Sequence, residues 1–304
     1  MSGIVKVGIY VVVVVFLGCL VSPWVYWATQ VMAGEGWLGW LAGFPFHRYW
    51  SRTVQVVAIV LGLPFVWWLG VRGLEDLGLV RNRRAVSDWC FGLCMGLGLG
   101  VILLLVVWGM GFVSWRGSVD WGRLWRVAGT AVVVSVVEEF VFRGVLMGLL
   151  VKRLGVVAGL WISTVIFAVA HFLRPAKRVV EEVDWASGFR QLFSIVEQLP
   201  EPGILGYGFL TLMAAGLLLG LATVWTRSLW LGIGLHSGWI FVQQGGNLVM
   251  RHSGDGYFLP WFGPSLVSGA VPTGFLAVFV VVLMAVGVRW YVGRRHFQQD
   301  QGLF

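Results

Sequence analysis

The sequence predicts an all-α protein, a polytopic transmembrane helical bundle of about eight helices. Hydrophobic residues make up 58% of the 304 residues and charged residues only 12%. The mean hydropathy is +0.84, well beyond the composition of soluble domains. The apolar residues are gathered into runs of about 20, the length at which a helix crosses a bilayer core. We therefore expect a single multi-pass membrane domain over residues 1–304, placed in a bacterial plasma membrane.

Eight apolar runs have the length of a membrane span. Several of the 19 tryptophans stand at the ends of these runs, where indole rings favour the headgroup level. The charged segment Arg174–Pro202 is expected to lie on the membrane surface or to form a gating loop. The predicted helices cover Ile4–Met32, Thr53–Val71, Trp89–Val113, Val127–Val151, a fifth run after Gly155 that ends near His171, Gly203–Trp225, Ser228–Val249 and Thr273–Val292.

The third predicted span carries a series of small residues. Gly92 and Gly96 are followed by Gly98 and Gly100. In membranes such small faces let a second helix approach closely, because no side chain separates the two backbones. We therefore expect a tight helix contact along this span.

Charged residues interrupt the fourth predicted span. Glu138, Glu139 and Arg143 stand among Val, Leu, Phe and Gly. A charged acid near the centre of a membrane helix costs about 2.5 kcal/mol or more, so it usually faces a polar cavity or a partner. Glu139 and Arg143 are four residues apart and can pair, whereas Glu138 lies about 100° around the helix. This pattern indicates either a buried ion pair that fixes packing or a held Glu139 beside a catalytic base, Glu138.

Two histidines fall within predicted spans, His171 at the end of the fifth and His236 in the seventh. A lone histidine in an apolar helix is usually a packing residue bonded to a backbone carbonyl. Two of them together with paired glutamates favour a catalytic site. Carboxylate and imidazole can activate water, either directly or through a divalent metal.

These residues resemble the three motifs of the CAAX-protease and bacteriocin-processing (CPBP) family of intramembrane endopeptidases. That family includes the type II CAAX prenyl proteases and the Abi proteins. The resemblance covers residues 123–249, which we take as the catalytic core. Its motifs are Glu138-Glu139-xxx-Arg143, Phe167-xxx-His171 and the later His236.

The resemblance implies peptide-bond hydrolysis in a cavity that opens within the bilayer. Glu138 would take a proton from water, and His171 would orient that water or share its proton. His236 would stabilise the oxyanion of the tetrahedral intermediate or bind a metal. Glu139, paired with Arg143, would serve positioning, although the two glutamates could exchange roles.

The third motif departs from the family pattern, His-xxx-Asn, because Ile240 stands where the asparagine is expected. In the family the amide is thought to hold the substrate carbonyl or the metal. Ser237 and the indole of Trp239 are nearby replacements, and Gln243 lies on the face of His236 about 10 Å further along the helix. The departure indicates either a divergent protease or lost catalysis, and the five remaining charged or imidazole side chains favour divergence.

A zinc cofactor is left open by these residues. His171, His236 and Glu138 could supply three ligands and leave a position for water, which is the pattern of a catalytic zinc. In the alternative interpretation, Glu138 activates the water without a metal.

The expected partners are the lipid bilayer and a membrane-associated protein or peptide substrate. The net charge of +8 is spread over short connections without a basic stripe, so no nucleic-acid partner is expected. The competing functions are a binding or bacteriocin-immunity protein without cleavage and a proton-coupled transporter. The sequence shows no internal repeat and no paired broken helices, which argues against transport.

Overall fold

The computed structural model describes residues 3–77, 79–173, 177, 182–253, 259–263 and 274–301. These residues are overwhelmingly helical, which confirms the predicted all-α class. The chain forms two compact units, residues 1–73 with 171–200 and residues 74–170 with 201–304. A single membrane domain over the whole chain stays a prediction.

Among its described residues, the first unit contains four α-helices. Its core is formed by Cys19, Phe46, Tyr49 and Trp50. The last of the four helices lies directly on the first, because a Cβ at Gly188 would overlap the backbone of Cys19. The helices are α1 (Gly3–Gly34), α2 (Gly39–Ala42), α3 (Phe46–Trp68) and α8 (Ser187–Phe193).

The predicted surface segment Arg174–Pro202 is helical in part. It contains α8 and a short 3₁₀ helix, Val196–Gln198, while residues 174–176 and 178–181 lie outside the described residues. Trp185 and Phe193 expose about 70% of their surface. Such exposure suits contact with lipid at the membrane surface.

The second unit carries most of the predicted spans. Two short strands, which the sequence did not predict, pair antiparallel with Val113 opposite His252. The elements are α4 (Ala85–Gly109), β1 (Val113–Trp115), α5 (Trp121–Glu139), a π-helical segment (Phe140–Met147), α6 (Gly148–Leu154), α7 (Val156–Ala170), α9 (Pro202–Thr226), α10 (Trp230–Val249), β2 (Met250–His252) and α11 (Phe275–Gln301).

The connection expected at Ser114–Arg126 is shorter than predicted. It holds β1, and α5 already begins at Trp121. The reason is an N-cap, because the Asp120 carboxylate accepts a hydrogen bond from the backbone N–H of Arg123 at 2.8 Å. The helix that carries the glutamates therefore starts six residues earlier than the predicted Val127.

The glycines of α4 make the close helix contact that the sequence predicts. A Cβ at Gly92 would lie 2.5 Å from the carbonyl oxygen of Leu231, and one at Gly96 would lie 2.5 Å from that of Leu235. Gly98 faces open space instead. Because α4 and α10 touch backbone to backbone, α10 is buried along most of its length.

The hydrogen bonds of Asp88 and its partners join α4, α11 and the chain that enters α10 at one end of the second unit. It is fully buried and accepts hydrogen bonds from Asn82 Nδ2 at 2.7 Å and from the Tyr291 hydroxyl at 2.9 Å. Asn82 Nδ2 also donates to Ser228 Oγ at 3.0 Å. These bonds hold the start of α4 against α11 and the chain that enters α10.

Four helical stretches within the described residues are long and apolar enough to cross a membrane, so the protein is an integral membrane protein. The predicted number of about eight helices is therefore only approximate. The glutamate-bearing and histidine-bearing helices are more polar than the other spans, and α7 has only 15 residues. The four stretches are Val5–Gly34, Ala85–Gly109, Pro202–Thr226 and Phe275–Arg294.

Candidate active site

A π-helical segment begins directly after the glutamate pair. Helix α5 ends at Glu139, and Phe140–Met147 continues it with the wider π turn before α6. π-Helical turns are rare in proteins overall, and those that occur are often found at functional sites. Within this segment Arg143 is only 3% exposed, so the wide turn keeps a guanidinium inside the protein.

The predicted ion pair between Glu139 and Arg143 is present. Arg143 Nη1 donates to Glu139 Oε1 at 3.1 Å, and Arg143 Nη2 donates to the carbonyl oxygen of Gly216 at 3.4 Å. The Phe167 ring covers the guanidinium, with its centroid 4.0 Å from Cζ. Glu139 itself is 0% exposed. The arginine thus holds this carboxylate and also binds the backbone of α9.

Glu139 also contacts His236. The Nδ1 atom of His236 lies 2.9 Å from Glu139 Oε1, the same oxygen that Arg143 binds. A carboxylate paired with a guanidinium can only accept, so Nδ1 carries the proton and donates it. In the neutral imidazole the lone pair is then on Nε2. Gly232, one turn earlier on α10, leaves the space, because a Cβ there would lie 3.1 Å from Glu139 Oε2.

Glu138 lies on the other side of the imidazole. Its Oε2 is 3.8 Å from His236 Nε2, too far for a hydrogen bond but close enough for one water to bind both atoms. The Glu138 side chain is 28% exposed, whereas Glu139 is completely buried. The structure therefore separates a fully enclosed glutamate from a partly exposed one, of which Oε2 is itself buried.

Phe167 and His171 take different positions relative to this cluster. Phe167 is buried on α7, packs on Arg143, and has its ring centroid 6.2 Å from that of His236. His171 follows the end of α7 in a turn, is half-buried, and is grouped with the first unit. Its place beside the glutamates stays a prediction.

The candidate replacements for the family asparagine, Ser237, Trp239 and Gln243, all lie on α10. The Ser237 hydroxyl donates to the carbonyl oxygen of Ile233 at 2.6 Å, and Trp239 packs against the hydrophobic core. Ile240 and Gln243 are both buried on α10. The Ser237 hydroxyl is thus used in a hydrogen bond within its own helix.

Residues 120–242 match the family model described as type II CAAX prenyl endopeptidase, Rce1-like. This region resembles those endopeptidases. The match confirms the family resemblance seen in the sequence, and this family indicates a protease. It covers under half of the chain but contains every candidate site residue, from Glu138 to His236. No curated protein and no solved structure matches the chain.

The described residues only partly fit the zinc site that the sequence suggested. His236 Nε2 and Glu138 Oε2 are 3.8 Å apart, near the spacing of about 3.4 Å between two ligands of one tetrahedral zinc ion. The contact of Glu139 with His236 Nδ1 resembles that of the carboxylate that orients a metal-bound imidazole in many metal sites. However, no group of three His, Cys, Asp or Glu side chains among the described residues could hold a metal. His171 as a third ligand stays a prediction, so no metal enters the steps below.

Proposed function

We propose that this protein is an intramembrane endopeptidase in which Glu138 and His236 activate a water molecule against a peptide bond. The family supports a CAAX-protease-like endopeptidase. The observation that carries the mechanism is the chain of contacts from Arg143 to Glu139, from Glu139 to His236 and from His236 to Glu138. These contacts hold one imidazole between a fully buried and a partly exposed carboxylate.

Glu139 acts on the reaction through His236. Its bond to Nδ1 holds the ring and fixes the tautomer with Nε2 unprotonated. Arg143 in turn holds Glu139, so the orientation of the ring depends on the ion pair. Glu139 is thus a positioning residue in our proposal.

Glu138 is the general base. A water between Glu138 Oε2 and His236 Nε2 would donate one proton to each, leaving an oxygen lone pair for attack on the scissile carbonyl. Glu138 takes one proton as the carbon–oxygen bond forms and the carbonyl π electrons move to oxygen. The proton then passes to the leaving nitrogen as the carbon–nitrogen bond breaks. We assign His171, four residues after Phe167, to orienting the same water.

The substrate class is a protein or peptide that reaches the site from the membrane. The family description names CAAX prenyl endopeptidases, so a prenylated C-terminal peptide is one candidate and an anchored leader peptide is another. Both share an apolar tail beside a cleavable bond, which suits an enzyme with glutamates inside apolar helices.

The test compares membrane proteins from cells that contain the wild-type protein, Glu138→Gln or Glu197→Gln. Glu197 is an exposed acid in the 3₁₀ helix of the first unit and serves as the matched control. Mass spectrometry of protein termini should show at least one precursor that is cut with wild type and Glu197→Gln and stays intact with Glu138→Gln. Identical termini in all three samples would contradict the proposal and favour binding without cleavage.

A further inference from the structure

One buried hydroxyl on α5 makes no hydrogen bond to the described residues. Ser135 is 0% exposed, and its Oγ has no hydrogen-bond partner among the residues that the structure describes. The helical hydroxyls of Ser237 and Thr223, by contrast, donate to the carbonyl one turn earlier. Buried polar groups are nearly always satisfied, so an unused one indicates a bound water or ligand.

Ser135 lies on the face of α5 that carries the glutamates. It precedes Glu138 by three residues and Glu139 by four. Residues with this spacing are neighbours on a helix surface, and one turn corresponds to about 6 Å along the axis. The hydroxyl is therefore one turn away from the two carboxylates.

The contacts of α5 with α10 show that the two helices run antiparallel. Leu124, near the start of α5, lies against Gly245 near the end of α10, 3.2 Å from the position of a Cβ there. Glu139, at the end of α5, reaches His236 in the first half of α10. Positions nearer the start of α5 therefore lie beside positions nearer the end of α10.

This direction places Ser135 and the missing amide on the same side of the contact between Glu139 and His236. Ser135 is one turn before Glu139, and position 240 is one turn after His236, the partner of Glu139. Position 240 holds Ile240, whose side chain has no hydrogen-bond donor. The unused hydroxyl and the absent amide are therefore each about one turn from the Glu139–His236 contact, on the same side of it.

In the reaction proposed above, a donor for the oxyanion is still to be assigned. With Nδ1 donating to Glu139, His236 Nε2 is an acceptor. Both terminal nitrogens of Arg143 are engaged, with Glu139 and with the Gly216 carbonyl. A tetrahedral intermediate needs a donor placed where its negative charge develops.

We propose that the Ser135 hydroxyl donates this hydrogen bond to the scissile carbonyl oxygen and, as charge develops, to the oxyanion. The inference rests on the proposed peptidase function and replaces the family amide with a residue on a different helix. Ser135 forms no covalent bond and keeps its proton. Glu138 still takes the proton from the attacking water.

The test is Ser135→Ala in purified protein reconstituted in lipid vesicles. The probe is a synthetic peptide that spans the cleavage site of the precursor accumulating with Glu138→Gln. We expect kcat to fall about 100-fold with little change in KM, as for loss of one oxyanion donor, which corresponds to about 2.7 kcal/mol. The melting temperature should stay the same or rise, because the lost hydroxyl has no partner in the protein. A structural role would lower it.

Two variants serve as matched controls. Ser163→Ala removes a buried hydroxyl that donates to the Leu160 carbonyl at 3.0 Å. Thr164→Val removes a hydroxyl that is buried and, like Ser135, has no partner among the described residues, but it is on α7. Both should keep the wild-type kcat, so a loss confined to Ser135→Ala assigns the effect to this position.

A second substitution tests whether position 240 and Ser135 share one role. Adding Ile240→Asn to Ser135→Ala should recover at least about tenfold in kcat, since it restores a donor on the same side of the Glu139–His236 contact. Ser135→Ala with wild-type kcat, or a folded double variant without recovery, would overturn the inference. Glu138→Gln, measured in parallel, separates the two proposals, because a fully active Glu138→Gln would instead refute the proposed function.

Discussion

Arg143→Ala should destabilise the protein strongly. The substitution removes the hydrogen bonds to Glu139 and to the Gly216 carbonyl and the contact with the Phe167 ring. It also leaves the Glu139 carboxylate, which is 0% exposed, without its cationic partner. Breaking a buried ion pair from one side typically costs about 3–5 kcal/mol. Since Glu139 orients His236, activity should be lost as well.

The measurement is thermal unfolding in detergent at one fixed scan rate, because melting of membrane proteins is commonly irreversible. Arg143→Ala should melt several degrees lower than wild type. Adding Glu139→Gln should restore part of the loss, because it removes the uncompensated charge.

A matched control uses the exposed pair of Arg190 with Asp184. Their atoms are 2.7 Å apart, but both side chains are more than half exposed. Arg190→Ala should therefore leave the melting temperature unchanged. Equal melting of Arg143→Ala and wild type would refute the assignment of the buried pair.

Three further outcomes are expected. Gly96→Val should lower the melting temperature and activity, because even a Cβ there would lie 2.5 Å from the Leu235 carbonyl, whereas Gly98→Val, facing open space, should do neither. Asp88→Ala should destabilise by about 1–3 kcal/mol for each donor left without its acceptor, while the folded fraction keeps its KM. Hydrogen bonding from Arg190 holds the pKa of Asp184 below its ordinary value of 3.8. The NMR chemical shift of the Asp184 carboxyl carbon should therefore titrate below that value. The ion pair should be lost only as pH falls through the lowered pKa.

The sequence predicted the parts of the site that depend on local spacing. The pair of Glu139 with Arg143 follows from four-residue spacing on one helix, and the close α4–α10 contact follows from Gly92 and Gly96. Both features need only the period of a helix and the size of the side chains. The same holds for the all-α class, which follows from the length of the apolar runs.

The contacts between distant segments were not predictable in this way. No local pattern indicates that Glu139, rather than Glu138, meets His236 at 2.9 Å, because 97 residues separate them. The π-helical segment after Glu139 and the burial of Asp88 depend on the packing of neighbouring helices. Ser135 carries no signal in the sequence, since a serine in an apolar helix usually bonds its own backbone.

The most direct test of the central claim is the turnover of the purified protein in vesicles with Glu138 replaced by Gln. The substitution keeps the size of the side chain but removes the base. We expect kcat to fall by about 10²–10⁴-fold, with little change in the melting temperature, because the hydrogen bond from Arg143 goes to Glu139. A folded Glu138→Gln protein that cleaves the precursor peptide at the wild-type rate would contradict the account.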